Sequence, residues 1–191
     1  MISWEVFHEE VGRCIGCTLH QTRRNVVAGE GNINAALMFV GEGPGEQEDL
    51  QSRPFVGKAG QLLDKMIAAI QLRREDVYIA NVVKCRPPKN RVPTDAEAAA
   101  CLPFLRLQVK LIKPRIIVCL GATAAKHIIS QDIRITKDRG VWTQRGGYYM
   151  LPTYHPAALL RDQAKKYEAW EDFKMIRDKL RELETDEKSS V

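Results

Sequence analysis

Four short apolar runs punctuate the chain: Leu37–Val40, Val77–Ala80, Ile116–Leu120 and Tyr148–Leu151. Each is continuous and uncharged, the pattern of a strand buried on both faces. Between them the apolar period becomes helical. Leu62, Leu63, Met66, Ile67 and Ile70 form one stripe over Gln61–Ile70. Leu102, Leu105, Val109 and Ile112 form another over Thr94–Ile112, which opens with the capping-box signature Thr-Asp-Ala-Glu. A short Ala-rich helix is predicted after Gly121, and a charged helix over Gln163–Glu184, with Thr185–Val191 as a frayed tail. Strand alternating with helix predicts a parallel sheet covered on both faces. The fold class is α/β: a three-layer α/β/α sandwich with a four-stranded parallel sheet, forming one domain over residues 1–184.

Composition adds little to this picture. At 45% hydrophobic and 28% charged, the chain is ordinary for a globular protein, and 191 residues bury a core without staples. The excess of 29 Lys+Arg over 24 Asp+Glu favours polyanionic partners only weakly. The opening Met-Ile-Ser-Trp-Glu-Val-Phe-His lacks the basic and apolar regions of a signal peptide, and Ile116–Ala125 is too short to span a bilayer. An intracellular, cytoplasmic protein without membrane attachment is expected. Its five cysteines then point to metal or redox work rather than disulfides.

In such sheets ligands bind beyond the carboxyl ends of the strands. After the first strand comes Gly41-Glu42-Gly43-Pro44-Gly45-Glu46-Gln47-Glu48-Asp49. Its four carboxylates and its proline exclude a phosphate cradle, which wants bare N–H groups and positive potential. The loop suits a metal, a positioned water or a cationic transition state, or it is a solvated acidic turn. Asn81 ends the second strand, and its amide suits a base edge that presents an imide N–H beside a carbonyl; a turn-forming Asn is the plainer reading. Lys84, Arg86, Lys89 and Arg91 follow among prolines, as a stiff positive loop for a phosphate backbone or as a solvated face. His155, at the exit of the fourth strand, could donate to a developing oxyanion. Leu159 and Leu160 are either core or a wedge for a base stack, and Phe55 is either core or a stacking platform.

Cys14 and Cys17 form a C-x-x-C pair, while Cys85 and Cys101 must be brought to it by the fold. Four thiolates hold either tetrahedral zinc or an iron–sulfur cluster, and the spacing does not separate the two. Cys119 reads as a core residue of the third strand.

Gly41-Glu-Gly-Pro-Gly-Glu, Arg53-Pro-Phe-Val-Gly-Lys-Ala-Gly, Asn81-Val-Val-Lys-Cys-Arg-Pro-Pro and Tyr154-His-Pro-Ala-Ala-Leu-Leu-Arg, with the four cysteines, resemble the family 4 uracil-DNA glycosylases from Cys14 to about Arg161. The resemblance implies a monofunctional enzyme that hydrolyses the N-glycosidic bond of uracil in single- and double-stranded DNA, for base excision repair. It implies a uracil-DNA glycosylase-like fold and a [4Fe-4S] cluster on Cys14, Cys17, Cys85 and Cys101. In those terms Phe55 stacks on the flipped base and Asn81 reads its imide edge. Glu48 stands near C5, and Gly43 lies in the same substrate loop. His155 donates to O2, while Glu42 orients water or stabilises the sugar cation. Leu159 or Leu160 fills the vacated stack, and Arg161, Lys84 and Arg86 meet phosphates. A monomer is expected, with replication or repair proteins as candidate partners. Ser52 stands where glycine is expected and Ala157 where serine is common. Residues 87–94 carry no histidine for covalent capture, so ordinary turnover is expected. Two rival readings remain: a DNA-binding module without base release, and a zinc nucleotide hydrolase that a chelator would stop.

Overall fold

A computed structural model describes residues 3–189. Helix α1 (Trp4–Gly12) leads to β1 (Glu30–Gly31) and β2 (Leu37–Gly41). Helices α2 (Glu46–Gln51) and α3 (Lys58–Ala69) cross to β3 (Tyr78–Asn81), and α4 (Asp95–Ile112) crosses to β4 (Ile116–Leu120). Helices α5 (Ala122–Ile128) and α6 (Ile135–Asp138) precede the hairpin of β5 (Thr143–Arg145) and β6 (Tyr148–Thr153). Helices α7 (Pro156–Arg161) and α8 (Lys165–Ser189) follow.

All four apolar runs are strands, and they form the parallel centre of the sheet in the order β3-β2-β4-β6. Among the described residues the sheet has six strands rather than four, because β1 and β5 add short antiparallel edges. Two or three polar residues make each of these edges, so no apolar run marks them. The α8 helix runs through residues 185–189, where a frayed tail was expected; residues 190 and 191 of that tail lie outside the described residues.

Alternation along the strands divides the core. Met38, Val40, Ala80, Ile117, Cys119 and Met150 face α4 and α5. Leu37, Phe39, Ile79, Val118 and Leu151 face α3 and α8. The capping box at Thr94 forms as the sequence implies: Glu97 N donates to Thr94 Oγ1 (3.2 Å) and Thr94 N donates to Glu97 Oε2 (2.8 Å). Among the described residues no helix is long and apolar enough to cross a membrane.

Two features of the sheet build a site. Gly41 is in register with Asn81, and Leu120 with Thr153, so the carboxyl ends of the central strands are level. The chain then leaves β2 toward α3 on one face and β4 toward α5 on the other. Opposite departures from neighbouring strands open a crevice between their loops.

Candidate active site

A cavity of about 330 Å³ lies over those strand ends, and Glu42, Gly43, Glu48, Phe55, Asn81 and His155 all line it. They come from three separate parts of the chain, the stretch 42–55 after β2, Asn81 at the end of β3 and His155 after β6, which the level strand ends bring together.

Asn81 closes β3 and is 2% exposed. Its side-chain Oδ1 is buried and has no hydrogen-bond partner among the described residues. Leaving such an acceptor unpaired costs about 1–3 kcal/mol. Room around it depends on Gly41: a Cβ there would lie 2.5 Å from Asn81 Oδ1 and 2.5 Å from Phe55 Cζ.

Phe55 is buried at a left-handed backbone angle (φ 51°), which an aromatic residue adopts only under constraint. Arg74 supplies part of that constraint by donating to the carbonyls of Pro54 and Phe55, the latter at 3.1 Å. Gly60 supplies another part, since a Cβ there would lie 1.8 Å from the Phe55 oxygen. Glu48 Oε1 accepts from the backbone N–H groups of Val56 (2.9 Å) and Gly57 (2.8 Å), so the carboxylate also pins this loop. Ser52 caps α2 in the left-handed region (φ 58°), the conformation that glycine would adopt at less cost.

The Phe55 and His155 ring centroids are 5.5 Å apart. His155 caps α7, and its Nδ1 accepts from the Ala157 N–H at 3.1 Å. The neutral ring therefore carries its proton on Nε2. Burial pulls its pKa down to about 4, the Arg161 charge adds to this, and Glu48 opposes it. At neutral pH the ring is an uncharged N–H donor.

Glu42 Oε2 accepts a hydrogen bond from Thr123 Oγ1, across the crevice between the β2 and β4 loops. Thr123 passed unnoticed in the sequence because it sits in an Ala-rich helix start with no motif around it. The Thr153–Asp172–Arg139 group was missed for a related reason. Asp172 is 1% exposed, accepts from Thr153 Oγ1 (2.6 Å) and is paired by Arg139 (2.8 Å), which fixes the strand end before His155. A carboxylate on the stripe Ala169, Phe173, Ile176 and Leu180 was the available signal.

Two of the expected DNA contacts are corrected by burial. Lys84 is 1% exposed, with its ammonium turned inward onto Asn81 O and Gln108 Oε1, so it meets no phosphate. Leu159 is 1% exposed and packs with Tyr154 and Ala169, whereas its neighbour Leu160 is 44% exposed. Arg161 is exposed. Arg86 is half-buried and donates to Asn90 Oδ1 at 2.7 Å. Arg91 makes a two-pronged pair with Glu97 (2.7 Å each), which holds that carboxyl down to about 2.

Cys14, Cys17, Cys85 and Cys101 line one small cavity, while Cys119 is fully buried inside β4. Three of the four sulfurs accept from N–H groups. Gly16 N donates to Cys14 Sγ (3.4 Å), Arg23 Nη1 to Cys85 Sγ (3.1 Å) and Lys84 N to Cys101 Sγ (3.2 Å). Burial pushes the Cys85 thiol up, and Cys101 up to about 11, so a bound cation is needed to hold them as thiolates. Among the described residues, no three His, Cys, Asp or Glu side chains gather closely enough for a single metal ion. Four cysteines lining one cavity are the donor chemistry of structural zinc or of an iron–sulfur group.

Residues 28–174 match the family model of the uracil DNA glycosylase superfamily. A type-4 uracil-DNA glycosylase of Thermotoga maritima is 51% identical over 166 residues, covering 85% of each chain. Another, of Sulfurisphaera tokodaii, is 49% identical over 187 residues, covering 93% of this chain and 85% of its own. A third, of Archaeoglobus fulgidus, is 46% identical over 175 residues, covering 87% and 88%.

Proposed function

The chain belongs to the uracil DNA glycosylase superfamily, among its type-4 members, and from that premise we propose that it removes uracil from DNA by hydrolysis of the N-glycosidic bond. The observation that carries this reading is the buried Oδ1 of Asn81, which lies beside the cavity without a hydrogen-bond partner among the described residues. It is an acceptor waiting for a donor, and the N3–H of uracil is one. Cytosine has a lone pair at that ring position and would leave Oδ1 unpaired, a discrimination worth orders of magnitude at a polar site.

Uracil reaches the cavity by rotating out of the duplex. Phe55 stacks on the ring, and the Asn81 amide pairs with the N3–H and the neighbouring O4. The glycosidic bond between C1′ and N1 breaks with its electron pair passing to the base. Charge builds on O2, and the neutral His155 stabilises it by donating from Nε2. Water attacks the electron-poor C1′, with Glu42 either orienting it and receiving its proton or stabilising the sugar cation. Glu48 has one oxygen committed to the Phe55 loop, and its carboxyl stands where the methyl of thymine would press. Leu160 fills the stack that the base has left, and Arg161 and Arg86 lie near phosphates.

Cys14, Cys17, Cys85 and Cys101 would hold a [4Fe-4S] cluster. Bound there, it supplies a cross-link between the N-terminal arm, the loop after β3 and α4. The enzyme acts inside the cell, as a monomer, on single- and double-stranded uracil-containing DNA. The test is excision from U:G, U:A and single-stranded U oligonucleotides by iron-loaded protein, with and without chelator and alongside Asn81→Ala. Alkali-labile sites in all three substrates, surviving brief chelator exposure and reduced about a hundredfold in the variant, support the reading. Tight DNA binding without base release overturns it.

A further inference from the structure

Lys84 is a buried ammonium that base excision as described does not use. It is 1% exposed, yet its side chain donates to two neutral acceptors, the Asn81 carbonyl (2.8 Å) and Gln108 Oε1 (2.6 Å). Gln108 is itself fixed, since its Nε2 donates to the Ala28 carbonyl and the Tyr78 hydroxyl, both at 2.9 Å. Burying an ammonium without a carboxylate partner is costly, and an apolar side chain of equal length would fill the space more cheaply. The charge therefore does something that packing alone does not require.

Its position shows what that is. The edge strand β1 pairs with β3 only at Tyr78 and Ile79, so the Asn81 carbonyl lies beyond the ladder, and the Lys84 ammonium takes the place of the missing strand donor. At the other end of the same residue, the backbone N–H of Lys84 donates to Cys101 Sγ at 3.2 Å, and its chain neighbour is Cys85. One residue thus touches both the sulfur cavity and the backbone of the residue that reads the base. We propose that Lys84 is a positioning residue that couples the cysteine site to base recognition: its amide is anchored on Cys101 and its ammonium holds Asn81 in the attitude that presents Oδ1 to the cavity. This rests on Asn81 reading uracil.

The experiment is a double-mutant cycle on iron-loaded protein with Lys84→Met, Asn81→Ala and the pair, with iron content measured for each. Single-turnover excision from single-stranded U oligonucleotide is the first readout. Lys84→Met is expected to slow it about ten- to hundredfold in the wild-type background, by loss of charged hydrogen bonds, and less than about twofold in the Asn81→Ala background. Lys84→Arg, which keeps a charged donor, recovers most of the loss. Full multiplication of the two defects, or a wild-type rate in Lys84→Met, overturns the proposal. Should Lys84→Met not fold, Gln108→Met, which removes the second acceptor of Lys84, enters the same cycle.

The second readout is the rate at which a chelator strips iron, with and without saturating free uracil. Lys84 holds the Asn81 carbonyl and is anchored on Cys101, so uracil bound at Asn81 should also steady the sulfur site: it should slow iron loss from the wild type at least about threefold and leave Lys84→Met unaffected. An equal effect in both proteins, or none in the wild type, overturns the link to the cysteines. An Asn81→Ala protein that excises at the wild-type rate would instead overturn the base-reading assignment.

Discussion

Replacing Thr123 with valine keeps the β-branched shape and removes one hydroxyl. That hydroxyl donates to Glu42 Oε2, and no other hydrogen bond to the Glu42 carboxylate is found among the described residues. Thr123 and Glu42 are both half-buried, so bulk water does not fully replace the bond. A hydrogen bond to a charged acceptor is worth about 1.5–3 kcal/mol. If Glu42 must point at the water or at the sugar as the glycosidic bond breaks, most of that is lost from the transition state. The expected slowing is about ten- to hundredfold. Single-turnover excision at saturating enzyme measures it directly, and oligonucleotide affinity should change less than about twofold if Glu42 acts on the water or the sugar and not on the DNA grip. Thr123→Ser should recover most of the rate. A Thr123→Val protein that excises as fast as the wild type would refute the placement of Glu42 in the chemical step.

Gly41→Ala should fold and yet fail to bind free uracil, since its Cβ would lie 2.5 Å from both Asn81 Oδ1 and Phe55 Cζ; titration calorimetry beside a melting curve shows both. Leu159→Ala should lower stability by about 2–5 kcal/mol in denaturant melts, because the side chain is buried. Leu160→Ala should leave stability within about 0.5 kcal/mol and slow excision from duplex more than from single-stranded DNA. His155 has a pKa of about 4 folded against 6.5 as its ordinary value, so between those values the unfolded chain binds the extra proton. Stability from this group is complete above about pH 6.5 and is lost as pH falls toward 4, by no more than about 3 kcal/mol. His155→Ala should flatten that part of the stability–pH curve, and an unchanged slope would contradict the burial of the ring.

The central strands were legible because a strand buried on both faces needs an unbroken apolar run, and each of the four has one. The capping box was legible because its two partners are three residues apart. The edge strands were not, because polar residues pairing at the rim carry no periodic signal. Lys84 shows the limit most clearly. Beside Arg86, Lys89 and Arg91 it reads as part of a positive face, but its acceptors are a main-chain oxygen three residues back and Gln108 in α4, and no local pattern announces either. Leu159 and Leu160 are adjacent and chemically identical, and only the rotation of α7 decides which is core. The site residues that did stand out were those at strand exits, where side-chain chemistry departs from what a turn requires.

The central claim is that the buried Oδ1 of Asn81 receives the N3–H of uracil. Single-turnover excision of uracil and of N3-methyluracil from otherwise identical single-stranded DNA tests it most directly. The wild type should favour uracil by about a hundredfold or more, and Asn81→Ala should excise the two at nearly equal, slow rates. Equal excision of both bases by the wild type would contradict it.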